Sequence, residues 1–113
     1  MQIGERVWAA MNEQINHEFD SAYRYLAMSA WCQKRDLPGC ASWLRHQAEE
    51  EVEHAMKFFD YIQARDGAVA LKALPQPPAD FPDVGAVFAG ALAHERHISA
   101  LIHELFALAT SEG

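Results

Sequence analysis

At 113 residues, half of them hydrophobic, the chain has the length of one small domain and enough apolar material for a core, which excludes a disordered segment. Nine Lys and Arg against 16 Asp and Glu leave a formal charge of −7, which disfavours nucleic acid and anionic membranes and favours cations. The first residues, Met1 to Glu5, lack a signal peptide's basic-then-apolar pattern, and the longest apolar run, Val84 to Ala93, is too short for a bilayer, so a cytoplasmic protein is expected, with Cys32 and Cys40 as reduced, packed thiols.

The predicted architecture is all-α, a single domain over 1–113 with three long helices. The first runs from about Gln2 to Lys34 on a stripe of Val7, Met11, Ile15, Phe19, Ala22, Leu26 and Ala30. A turn at Pro38–Gly39 ends it, and a short connection of this kind makes consecutive helices antiparallel neighbours. The second runs from about Cys40 to Arg65, on Leu44, Ala48, Ala55, Phe58, Phe59 and Ile62, with Gly67 as the stop signal. Pro75, Pro77, Pro78 and Pro82 then forbid a helix. A helix of about 26 residues is about 40 Å long. The segment from Asp66 to Pro82, about 17 residues, reaches up to about 55 Å when extended. It can therefore return along the whole bundle and start the third helix parallel to the second; the alternative is a disordered linker. That helix spans about Val84 to Thr110, capped by Asp83, on Val87, Phe88, Ala91, Leu92, Ile98, Leu101, Ile102, Leu105 and Ala109.

The chemistry lies in what interrupts these stripes. Glu18 falls beside the apolar stripe of the first helix. Glu51 falls between Ala48 and Ala55, and His54, three residues on, shares its face. Glu95 falls between Leu92 and Ile98. A buried carboxylate costs several kcal/mol unless it is paired or bound to a metal. Any one of these residues could be a stripe-edge side chain reaching water or an Arg. Together, at one level in three helices, they match the di-iron carboxylate pattern of Glu and Glu-x-x-His residues in a helical bundle. Carboxylates with imidazole suit iron or manganese, and no thiolate is positioned to select zinc. Glu49, Glu50 and Glu53 read as a solvated face, His17 and His46 as exposed, and His94, His97 and His103 as surface residues or secondary ligands. Gly85, Ala89, Gly90 and Ala93 form a smooth side to which another helix could come close.

The stretch Met11-Asn-Glu-Gln-Ile-Asn-His-Glu18, the stretch Tyr25-Leu-Ala-Met-Ser-Ala-Trp-Cys32, Glu51-x-x-His54 with Phe58-Phe-Asp-Tyr61, and His94-Glu95 resemble bacterial non-haem ferritins, within the ferritin-like di-iron family. The resemblance implies a ferritin-like bundle with one long crossover. It implies that Glu18 and His54 hold one iron, that Glu51 bridges two and that Glu95 holds the second. Tyr25 would stand beside the site as a hydrogen-bonding or electron-donating residue, or serve as a core tyrosine. The implied activity is a ferroxidase, oxidising Fe(II) with dioxygen or peroxide at a di-iron centre.

The sequence stops at Ser111–Gly113, where the family turns into a fourth helix carrying the last quarter of the site, so the bundle is expected to be completed by oligomerisation. In one arrangement Glu18, Glu51 and His54 of two chains share a site across a two-fold axis, in an even-numbered homo-oligomer built on dimers. In the other, Glu95 completes the site of its own chain. A non-catalytic iron buffer and a purely structural helical oligomer are the readings from other classes.

Overall fold

The computed structural model describes residues 4–112. It contains α1 (Glu5–Lys34), α2 (Pro38–Ala64) and α3 (Val84–Glu112), with no strand among the described residues. The expected start of the first helix at Gln2 lies outside them. No helix of the described residues is long and apolar enough to cross a membrane.

The helix ends follow local backbone chemistry. α1 and α2 both finish in a Schellman turn: Leu37 N–H bonds to Cys32 O at 3.0 Å and Gly67 N–H to Ile62 O at 2.9 Å. The left-handed residue in each turn is an aspartate, Asp36 (φ 57°) and Asp66 (φ 58°). The stops are therefore these aspartates and not the glycines beside them. Pro38 is not a breaker here. It opens α2 at the first position, where a missing N–H costs nothing. Gly67 has a different reason to be glycine, since a Cβ there would lie 3.1 Å from the Trp8 ring and 2.9 Å from Ile62 Cγ2. Asp83 caps α3 as expected, its Oδ1 accepting from Ala86 N–H at 2.8 Å.

α1 is the central element. It packs along α2 on one side and α3 on the other, while α2 and α3 make no close backbone approach. Their side chains meet at one end, where the Trp43 and Phe88 rings lie 5.7 Å apart. The crossover returns along α1, as its length allowed, and two asparagines fasten it. Asn12 donates to Ala68 O and accepts from Ala70 N–H, and Asn16 donates to Ala70 O and accepts from Lys72 N–H. Lys72 pairs with Glu13 on the same face. Further on, Phe81 packs edge-on against Trp31. α3 therefore starts at the far end and runs parallel to α2.

The core faces follow alternating steps of three and four residues. In α1 the buried residues include Val7, Gln14, Glu18, Ser21, Tyr25, Met28 and Cys32. Leu26 and Ala30 are exposed instead, as are Leu92 and Ile102 in α3. A run of four-residue steps advances about 40° per step around a helix of 3.6 residues per turn, and so walks off the buried face. Gly85, Ala89, Gly90 and Ala93 also face solvent, and a Cβ at Gly90 would meet only Met28 Cε, at 3.7 Å. Cys32 and Cys40 are free, and burial pushes the Cys32 thiol up, consistent with a packing role.

Two apolar clusters result. One gathers Ala22, Tyr25, Met28, Trp31, Leu44, Ala48, Val87 and Ala91, and the other Ile15, Ala55 and Ile62. Between them α1 and α2 bury a polar layer of Gln14, Glu18, Ser21 and Glu51. The Asn16→Ala variant should lose about 1–3 kcal/mol in urea unfolding. Amide exchange should speed up at Lys72, whose partner is removed, more than at Ala70, which Asn12 still holds.

Candidate metal centre

Glu18 and Glu51 sit at core positions of α1 and α2, 0% and 3% exposed, with apolar layers above and below. Glu18 Oε1 is satisfied by Gln14 Nε2 at 3.1 Å, one helical turn earlier. Glu18 Oε2 and Glu51 Oε2 are buried with no hydrogen-bond partner. Both point at the same atom, His54 Nδ1, which lies 3.8 Å from each. That is too long for a hydrogen bond. Two ligand atoms whose bonds of about 2.1 Å meet at one tetrahedral metal ion lie about 3.4 Å apart, so a small inward movement would bring these atoms to a common ion. Among the described residues, Glu18, Glu51 and His54 form the one group of three such side chains with ligand atoms all within 4.8 Å of one another. Two orphaned carboxylate oxygens facing an imidazole nitrogen are a donor set that fits a divalent cation. The His54 side chain is about half exposed, 48%, which leaves the cluster open on that side.

Glu95 joins from α3. The Tyr25 hydroxyl donates to Glu95 Oε1 at 2.5 Å, and Glu95 lies near enough to Glu51 to act on its charge. The structure thus brings Glu18, Tyr25, Glu51, His54 and Glu95 into one locality.

The electrostatics follow from crowding carboxylates away from water. Glu51 is pushed up to about 9, first by burial and then by the neighbouring carboxylates of Glu18 and Glu95. Burial, with the Glu95 hydrogen bond and charge and then the Glu51 charge, pushes the Tyr25 phenol well above its usual range, so it stays a donor.

Other candidates fall elsewhere. His46 is exposed and pairs with Glu50, and Arg45 with Glu49, all on the solvated face. His103 is exposed. His17, expected to be exposed, is half-buried against α3, its ring 6.4 Å from that of His97. His94 is half-buried and bonded to Ser21, and burial, then the Arg24 charge, holds its pKa down. Gln14 and Ser21 escaped the sequence reading. Their signal was their spacing, one turn before and three residues after Glu18, which puts polar side chains on a core face.

In the metal-free protein the sign of the pH dependence follows from Glu51. Its folded pKa of about 9 lies above its ordinary 4.5, so the folded state holds a proton that the unfolded state has released. Stability therefore falls as pH rises through that window. The Glu51→Gln variant should be more stable than wild type at pH 8 by roughly 2–4 kcal/mol, with little difference near pH 4.5. Urea unfolding at several pH values reads this out, and an unchanged slope would mean Glu51 is not held neutral.

The chain has known relatives. The ferritin-like domain model matches residues 8–113. The bacterial non-heme ferritin of Staphylococcus epidermidis strain RP62A is 34% identical over 110 residues, covering 97% of this chain and 66% of that protein. The same protein of Staphylococcus saprophyticus is 36% identical with equal coverage. An open pore ferritin from the hyperthermophilic archaeon Archaeoglobus fulgidus superposes with a TM-score of 0.95 at 40% identity, covering 98% of this chain and 68% of that one. The chain spans about two thirds of the length of the curated relatives it matches.

Proposed function

The chain belongs to the ferritin-like family, and on that premise we propose that it binds Fe(II) at the cluster of Glu18, Glu51, His54 and Glu95 and oxidises it to Fe(III), as a ferroxidase working in the cytoplasm. The observation that carries this reading is the pair of buried, partnerless carboxylate oxygens converging on His54 Nδ1.

Iron is the substrate. Two Fe(II) ions supply the two electrons that reduce dioxygen to hydrogen peroxide, or hydrogen peroxide to two waters, with two protons taken up in either case. The side chains do the rest. Glu18 and His54 hold one ion, with Gln14 fixing the orientation of Glu18. Glu51, whose charge is coupled to both Glu18 and Glu95, would serve both ions. It gives up its proton when metal arrives, so binding tightens as pH rises toward 9. Glu95 takes the second ion, and Tyr25 positions it by donating from a phenol that stays protonated. The acidic surface concentrates Fe(II) near the protein.

The Tyr25–Glu95 hydrogen bond favours a centre to which each chain brings its own Glu95. The two-fold shared arrangement of two Glu and Glu-x-x-His halves takes Glu95 out of the ligand set or leaves it on an entry path. Self-association is part of the reading in either case. Tyr23, Leu26, Val52 and Met56 on α1 and α2, and Leu92, Ile102 and Phe106 on α3, are exposed apolar side chains that an even-numbered homo-oligomer would cover.

Two measurements test the proposal. Fe(II)-dependent oxygen uptake should fall more than about tenfold in Glu51→Ala, since losing even an outer partner of a metal ligand commonly costs that much. Uptake equal to wild type would remove Glu51 from the reaction. Wild-type protein that binds Fe(II) tightly without consuming oxygen would be a buffer and not a ferroxidase. An anaerobic Fe(II) titration should give two tight sites per chain, falling to one in Glu95→Ala. One per chain, unaffected by that change, would point to the shared two-fold site.

A further inference from the structure

A second group of potential ligands lies on the seam between α1 and α3, and the carboxylate centre uses none of it. His17, Asp20 and Ser21 fall within one turn of α1 and so share a face. His94 and His97 of α3, also one turn apart, lie opposite. Three of the chain's six histidines therefore gather on one seam. The ring of His97 lies 6.4 Å from that of His17 and 6.2 Å from that of His94. Ser21 Oγ, fully buried, sits 2.5 Å from His94 Nε2. Asp20 adds a feature that points to a cation. Its Oδ2 accepts from Arg24 Nε at 3.0 Å, while its Oδ1 is buried with no partner. The Asp20 carboxylate and His94 are close enough across the seam for their charges to interact.

We propose that His17, His94 and His97, with Asp20, form a second divalent-metal site on the α1–α3 seam, selective for imidazole-preferring ions such as Zn(II) and Cu(II). The chemistry of the donors sets that preference. Imidazole binds strongly to Cu(II) and Zn(II), which stand above Fe(II) in the order of affinities. Two imidazoles on a tetrahedral ion, with metal–nitrogen bonds of about 2.0–2.1 Å, have ring centres about 5 Å apart. The two separations observed, both to His97, are about 1 Å wider than that. His97 is exposed, so its ring can turn toward its neighbours. The contact between Ser21 and Nε2 leaves His94 Nδ1 for the metal. It is the kind of outer hydrogen bond that fixes a ligating histidine in place. Asp20 Oδ1, whose sister oxygen is held by Arg24, offers an oxygen donor. His17 and His94 immediately precede Glu18 and Glu95, and consecutive residues on a helix point about 100° apart. The two centres are thus neighbours that project on different faces of the same helices. The site stands on its own donors and holds whether or not the carboxylate cluster oxidises iron.

The test uses Cu(II) as the probe on the full chain carrying Glu51→Gln, which disables the carboxylate centre. Electron paramagnetic resonance should show one tight Cu(II) per chain with splitting from at least two imidazole nitrogens, and only a large excess of Zn(II) should compete with it. Adding His97→Ala should weaken Cu(II) at least about tenfold and remove that splitting, as the loss of one chelate arm predicts. His97 is exposed, so its replacement leaves the fold intact, and His17→Gln, read in the same way, gives an independent check. Unchanged affinity and spectrum in both variants would overturn the site. So would a single-nitrogen signal in the parent. Neither outcome bears on iron oxidation, which is read by oxygen uptake in protein with Glu51 intact.

Discussion

Everything in this molecule depends on burying two glutamates side by side in the middle of a small helical bundle. Glu18 and Glu51 occupy positions where Leu or Ala would add stability. A buried carboxylate with an unpartnered oxygen is among the most expensive things a core can contain. The metal-free protein limits that cost by keeping Glu51 protonated and by turning the Gln14 amide onto Glu18. Neither device satisfies the two oxygens facing His54. A divalent cation there would satisfy both, so ligand binding and folding draw on the same groups.

The rest of the fold is organised to hold that layer in register. Because α2 and α3 both pack on α1, a shift of any helix by one residue would swing a glutamate out of the cluster by about 100°. Apolar clusters on either side of the layer resist such a shift. The fastened crossover resists it as well: Asn12 and Asn16 tie its backbone to the same stretch of α1 that presents Glu18. Those asparagines are themselves polar residues in a helix interior, where intrinsic propensity disfavours them. Their placement makes sense as register pins for the connection that sets the direction of α3.

How much of this was legible in the sequence depended on the length scale of each signal. Three helices, the antiparallel first pair and the returning crossover followed from proline positions and chain reach, which long segments specify redundantly. Glu18, Glu51, His54 and Glu95 stood out because a charge on an apolar stripe is costly, and the structure brings all four together. Detail that rests on angle was harder. Leu26, Ala30, Leu92 and Ile102 were assigned to the core by four-residue steps, whose drift around the helix only a fixed neighbour reveals. The left-handed Asp36 and Asp66 were hidden beside Gly39 and Gly67, because aspartate tolerates that conformation without requiring it. His17 read as exposed because the approach of α3 to that face of α1 is a tertiary fact. Gln14 and Ser21 were missed because one neutral polar side chain on a core face costs far less than a charge, and so gives a weaker signal.

The same logic separates the two donor groups on α1. A helix offers an inner and a lateral face within each turn, and here the first carries Glu18 and the second His17 and Asp20. The inner face is dry and anionic, so it favours an ion that accepts oxygen ligands and can neutralise buried charge. The lateral face lies nearer water and meets the imidazoles of α3, so its selectivity comes from nitrogen affinity. Because adjacent residues point in different directions, a helix of this length can carry two metal chemistries with neither set of ligands obstructing the other.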